Sequence, residues 1–232
     1  MDCRVRLDKF ICKSTELSRA EASDMLQNGM VKVDNKVFSN GAVQVHDNNL
    51  VTLKDIQLTL RPFRYLLVHK PINTLCSNVD ENYPSIFNYV DVDRKSELHV
   101  VGRLDVDTTG LVLMTDDGSW TFKIIKPEAQ CKKVYRVKLR DDITDEAILK
   151  LEKGLILQGI DEPTLPAKVT AISPREVLLT ITQGKFHQVK RMFRAVGNRV
   201  RGLHREKIGP VSLDVELGQW RYLTSDEIDS FL

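Results

Sequence analysis

The sequence predicts an α+β fold in which a small helix-rich N-terminal module precedes a larger domain built on a mostly antiparallel mixed sheet. Two observations carry this. Helically spaced apolar residues give way before residue 60 to short alternating strands, and from Tyr65 onward apolar alternation recurs strand after strand with few helices between. At 232 residues the chain has room for one or two domains. The boundaries follow at 1–60 and 61–232.

Leu7, Phe10 and Ile11 share one helical face, and Ser18 with Glu21 forms a capping-box pattern ahead of Ala22, Met25 and Leu26. Two short helices result. Gly29 ends the second, after which Val31 and Val33 alternate into an Asp34-Asn35 turn. Val37, Val43, Val45, Leu50, Val51 and Leu53 mark further short strands, and 54–64, with Pro62, reads as the linker. Beyond it the expected strands are 65–69, 111–115, 134–139, 167–172, 177–182 and 211–215. Helical periodicity is confined to 145–153, 187–196 and a short segment from Ser225.

The formal charge of +2 conceals a local imbalance: between Gln183 and Gly209 stand eight basic residues and a single acid, Glu206. A solvated helix face usually interleaves both signs, so this run points to a polyanionic partner. No segment reaches the length of a membrane span and the N-terminus lacks a signal-peptide core, so the expectation is a cytoplasmic protein without membrane contact. Cys3, Cys12, Cys76 and Cys131 form no C-x-x-C pair and the five histidines do not cluster with them. Reduced structural thiols and no metal site are expected.

The chemically suggestive segment is G-R-L-D-V-D-T-T-G-L-V-L-M-T-D-D-G at 102–118, an acidic loop set against a strand-like run. Spacing alone favours a polar turn between two strands; the alternative is that Arg103 beside Asp105 keeps an ionised carboxylate able to act as nucleophile or base. Asp105-Val106-Asp107-Thr108-Thr109 also has the D-x-D-x-T spacing of haloacid dehalogenase-type phosphatases. Those place the motif at the end of a parallel strand leading into an α/β unit, whereas here a strand and a 116–118 turn follow at once.

The 102–118 run, with G-K-F-H-Q-V-K-R-M-F at 184–193 and L-H-R-E at 203–206, resembles the RsuA family of pseudouridine synthases. R-L-D-K-F at 6–10, S-R-A-E-A at 18–22 and N-G-M-V-K-V-D at 28–34 resemble the S4-type RNA-binding module. The likeness spans nearly the whole chain. It implies an S4-like domain over 1–60 and a pseudouridine synthase domain over 61–232. The implied reaction is isomerisation of uridine to pseudouridine in 16S ribosomal RNA, at uridine 516, without a cofactor. The implied partner is small-subunit ribosomal RNA or a partly assembled particle, with the enzyme acting as a monomer. A synthase for 23S RNA and a non-catalytic assembly factor are the competing readings.

By the same resemblance Asp105 is the catalytic nucleophile or base, attacking sugar or base or removing a sugar proton; sequence leaves all three open. Tyr135, in Lys133-Val134-Tyr135, would stack on the target base, and Lys190 would pair with Asp105, with Arg191 as competitor. Asp107, Asp116 and Asp117 are expected to shape the loop and turn; Lys70-Pro71 resembles the family's K-P motif after the first strand, with Pro71 itself reading as a strand end. Flipping the uridine from its stack calls for a grip on flanking RNA. Arg103, Lys185, His187, Gln188, Arg191, Arg194 and Arg205 are the candidates there, His187 and Gln188 having helix capping as the alternative. Arg6, Lys9, Lys13, Arg19 and Lys32 are the N-terminal candidates.

Overall fold

The computed structural model describes residues 4–46 and 48–232. The chain divides into two compact units, one ending at Phe63 and the other spanning Arg64–Leu232.

The first unit contains β1 (Arg4–Arg6), α1 (Leu7–Ser14), α2 (Arg19–Gln27), β2 (Val31–Val33), β3 (Lys36–Val37), β4 (Gln44–His46), β5 (Val51–Leu53) and β6 (Ile56–Gln57). The Ser18–Glu21 capping box starts α2 as its sequence requires. Strands β3-β2-β5-β6 form an antiparallel sheet, and β1 pairs separately with β4. Asp34 and Asn35 both take positive φ at the β2–β3 turn, the geometry hairpins prefer. Lys54 and Asp55 do the same between β5 and β6. The segment expected as a linker therefore folds back as a hairpin, and Leu58, Leu60 and Phe63 pack on this unit's core. Lys13, expected to face RNA, is instead buried with its ammonium 4.6 Å from the Phe63 ring centroid.

The second unit contains β7 (Tyr65–Lys70), β8 (His99–Val101), β9 (Thr109–Thr115), α3 (Gly118–Ile125), β10 (Lys133–Leu139), α4 (Asp145–Lys153), β11 (Lys168–Ser173), β12 (Glu176–Ile181), α5 (Gln188–Ala195), β13 (Val200–Ile208), β14 (Val211–Ser212), β15 (Trp220–Tyr222) and α6 (Ser225–Asp229). Among the described residues its nine-stranded sheet runs β11-β12-β10-β13-β9-β7-β15, with β8 added to β9 and β14 to β13. Only β13 and β9 pair parallel; the sheet is mixed and mostly antiparallel. Alternate residues of β7 and β9 divide between two cores. Leu66, Val68, Val112 and Met114 join Leu151 of α4 and Val189, Met192 and Phe193 of α5, while Leu67, Leu111 and Leu113 meet Trp120 and Ile124 of α3.

Four elements escape the apolar pattern. The 116–118 turn is the start of α3: Asp117 accepts hydrogen bonds from the Ser119 and Trp120 amides at 2.9 and 3.1 Å. Strands β8 and β15 are short, and β13, nine residues long, lies within the basic run. The expected 211–215 strand is cut to Val211–Ser212. No helix among the described residues is long and apolar enough to cross a membrane. Cys76 and Cys131 are free thiols, and Cys3 lies outside the described residues.

Candidate active site

The loop between β8 and β9 lies where β10, β13 and the start of α5 converge, around a cavity of about 190 Å³. Its position is fixed from beneath by Lys70 at the end of β7. That side chain is fully buried, and its ammonium donates to the carbonyls of Pro71 at 2.9 Å, Val106 at 3.4 Å and Thr108 at 2.8 Å. Burial lowers the Lys70 pKa, opposed in part by attraction to Cys76, Asp107 and Asp105. Leu104 is buried in the core, its amide directed at Cys76 Sγ, and Asn73 N donates to Val106 O. The carboxylate of Asp105 thus projects from a backbone held at several points.

Lys190, on the first turn of α5, donates to Asp105 Oδ2 at 2.8 Å and to Asp107 Oδ1 at 2.5 Å. Partial burial works against its charge, yet hydrogen bonding and attraction to the two carboxylates prevail and raise its pKa. Burial likewise works against Asp107, and Lys190 overcomes it to lower that carboxyl's pKa. His187 Nε2 stands 3.4 Å from Asp105 Oδ1. Arg191 turns away, donating to the carbonyls of Phe186 and Gln158. Of the two basic candidates, only Lys190 meets Asp105.

Tyr135 of β10 and Arg205 of β13 line the same cavity. Arg205 is buried; its Nε donates to Leu111 O at 2.8 Å and its Nη1 lies 3.4 Å from Tyr135 Oη, leaving Nη2 without a protein partner. Close approach of β9 and β13 here depends on Gly110, at φ +115, since a Cβ would stand 2.3 Å from Arg205 O. Lys133, Lys185 and the exposed Arg103 complete the charged lining, and burial lowers the Lys133 pKa. A second cavity, of about 310 Å³, shares His187 and Lys190 and adds Arg191, Arg194, Arg199 and Arg201.

A sequence profile of RNA pseudouridylate synthases matches residues 64–195, more than half of the chain. The chain belongs to this family. The synthase is 45% identical over 228 residues to the ribosomal small subunit pseudouridine synthase A of Vibrio cholerae, covering 97% of this chain and 99% of the relative. It is 41% identical over 229 residues to the protein of that name from Escherichia coli K12, again covering 97% and 99%. A crystal structure of a pseudouridylate synthase superposes with a TM-score of 0.73 at 42% identity, covering 98% of this chain and all of the other. The synthase is accordingly an isomerase.

The remaining sequence candidates fall in several places. Gln188 departs from the RNA-facing expectation: it is buried, accepts from Lys185 N at 2.8 Å and donates to Gln183 Oε1 at 2.8 Å, so its amide braces the loop before α5. Asp116 and Asp117 serve the fold. Asp116 accepts from Arg64 N and Nε, and Asp117 accepts from Tyr65 Oη in addition to capping α3. In the N-terminal unit Arg6 pairs with Asp8 and Lys32 with Asp55, while exposed Arg6 and Arg19 line a shallow pocket; Lys9 is half-buried. Sequence reasoning missed the loop-holding role of Lys70 and the second carboxylate on Lys190. The K-P pair after the first strand of the sheet was the available signal for Lys70.

Proposed function

We propose that this synthase converts a uridine of small-subunit ribosomal RNA to pseudouridine, with Asp105 as its catalytic carboxylate and uridine 516 of the 16S molecule as the target. The observation that carries the reading is the convergence of Asp105, Lys190 and Tyr135 at one cavity in a chain whose near full-length relatives bear the small-subunit name.

Pseudouridine formation breaks the bond from C1′ to N1, rotates the uracil and joins C1′ to C5, with the proton lost from C5 to solvent matched by one that N1 takes up from solvent. Atoms and electrons balance within the nucleotide, so no cofactor enters. A carboxylate fixed beside an ammonium is suited to attack, or to take a proton, without reorganising. Tyr135 offers a ring face to the flipped base, and Arg103, Lys185, Arg191 and Arg194 a positive surface to flanking phosphates. The N-terminal unit acts as an S4-like RNA-binding domain through Arg6, Lys9, Arg19 and Lys32. The substrate is small-subunit RNA, naked or in a partly assembled particle, and the enzyme works in the cytoplasm as a monomer.

The test is chemical mapping of pseudouridine in ribosomal RNA from cells lacking the gene, and from the same cells supplied with it. Restoration of one small-subunit pseudouridine is expected at uridine 516. Restoration in large-subunit RNA instead, or no restoration, would reject the proposal.

A further inference from the structure

We propose that Phe186 is a stacking platform for the nucleobase next to the flipped uridine. The inference rests on the Asp105 cavity being the uridine site. Phe186 is 73% exposed, and its ring lies on that of His187, with centroids 3.8 Å apart and planes inclined by 21°. His187 in turn stands 3.4 Å from Asp105 Oδ1 and lines both the Asp105 cavity and the basic cavity beside it. His187 thus lies at the junction between the expected base pocket and the expected phosphate surface, and Phe186 extends its aromatic stack outward from that junction.

Single exposed apolar residues are ordinary, and exposure alone would carry nothing. What distinguishes Phe186 is that its ring already stacks on His187 and that the backbone beneath the pair is hydrogen-bonded on both sides. His187 holds φ +50, a left-handed conformation unfavourable for a non-glycine residue. Gln188 locks the chain on one side through Gln183 and Lys185 N, while Arg191 donates to Phe186 O with its side chain and to His187 O with its amide. A backbone tied down in this way leaves mainly the side-chain torsions of Phe186 to be ordered when a base settles on its ring. Uridine flipping leaves a neighbouring base without one stacking partner, and an aromatic ring replaces that partner whatever the base. The cationic setting of Lys185, Arg191 and Arg194 suits the adjoining phosphates and disfavours a basic protein partner.

The experiment compares wild type with Phe186→Leu and Phe186→Trp, each checked for an unchanged melting temperature, on small-subunit RNA carrying 2-aminopurine beside the target uridine. Wild type and Phe186→Trp are expected to quench the probe on binding. Phe186→Leu, which keeps apolar bulk without a π face, is expected to leave it bright and to lose about tenfold in kcat/KM. Equal quenching and activity in Phe186→Leu would overturn the inference, as would a loss seen only with ribosomal proteins present, which would assign Phe186 to a protein contact. Wild-type enzyme that makes no pseudouridine in small-subunit RNA would instead refute the proposed function.

Discussion

Lys190 Nζ lies 2.8 Å from Asp105 Oδ2, joining two residues 85 positions apart in the chain. The same ammonium reaches Asp107 Oδ1, so one cation on α5 holds both carboxylates of the β8–β9 loop. A helix whose apolar face is locked into the core by Val189, Met192 and Phe193 thereby sets where the loop's charge sits.

Because the Lys190 pKa is raised, its ion pairs contribute stability in full below the ordinary lysine value, and that contribution is lost as pH climbs through the raised value. The alkaline limb of kcat/KM is therefore expected above the ordinary lysine range. Asp107→Asn removes one of the two carboxylates and is expected to move that limb to lower pH. A pH–rate profile unchanged by this substitution would show that the limb does not report Lys190.

Replacing Lys70 by Met keeps most of its volume and removes a donor shared by three loop carbonyls. A stability loss of about 2 kcal/mol by urea unfolding is expected, since each charge-assisted hydrogen bond is worth roughly 1.5–3 kcal/mol and burial of the ammonium offsets part of the total. Activity per folded molecule should fall too, because the Asp105 loop loses its anchor.

The legible parts of the fold were those whose residues point to one core with a clean period. Helix α4 spans Asp145–Lys153 as its spacing predicts, and Ser18 with Glu21 announces α2. Strand β13 was hidden because its polar members have partners that sequence does not display: His204 meets Thr109 at 2.8 Å, Glu206 pairs with Arg136, and Arg205 reaches Leu111 O. Helix α3 was hidden behind Asp117, whose capping role looks like a turn in sequence. At the site, the meeting of Asp105, Tyr135 and Lys190 at one cavity was foreshadowed by resemblance. Lys70 showed only as half of the K-P pair, because a buried lysine satisfied by carbonyls leaves no charge partner in the sequence to reveal its role.

Gly110→Ala would set a methyl group 2.3 Å from the Arg205 carbonyl oxygen, at a φ of +115. Backbone is on the other side of the contact, so relief requires parting β9 from β13. A loss of about 3 kcal/mol or more is expected by thermal or chemical denaturation. A near-neutral result would mean that the parallel pairing yields easily.

Arg194, Arg199 and Arg201 are exposed on the basic cavity. Replacing any one by Ala is expected to weaken RNA binding and to flatten the dependence of log K on log salt concentration by roughly 0.7–0.9, the share of one phosphate contact. Fluorescence anisotropy across a salt series measures this slope, and an unchanged slope would place the RNA elsewhere.

The central claim is that the Asp105 carboxylate performs the isomerisation, and single-turnover pseudouridine formation by Asp105→Asn tests it most directly. Asparagine preserves shape and removes the charge, so the variant should fold and bind RNA as the wild type does while forming no detectable pseudouridine. Activity within tenfold of wild type in a folded, RNA-binding Asp105→Asn enzyme would contradict the account.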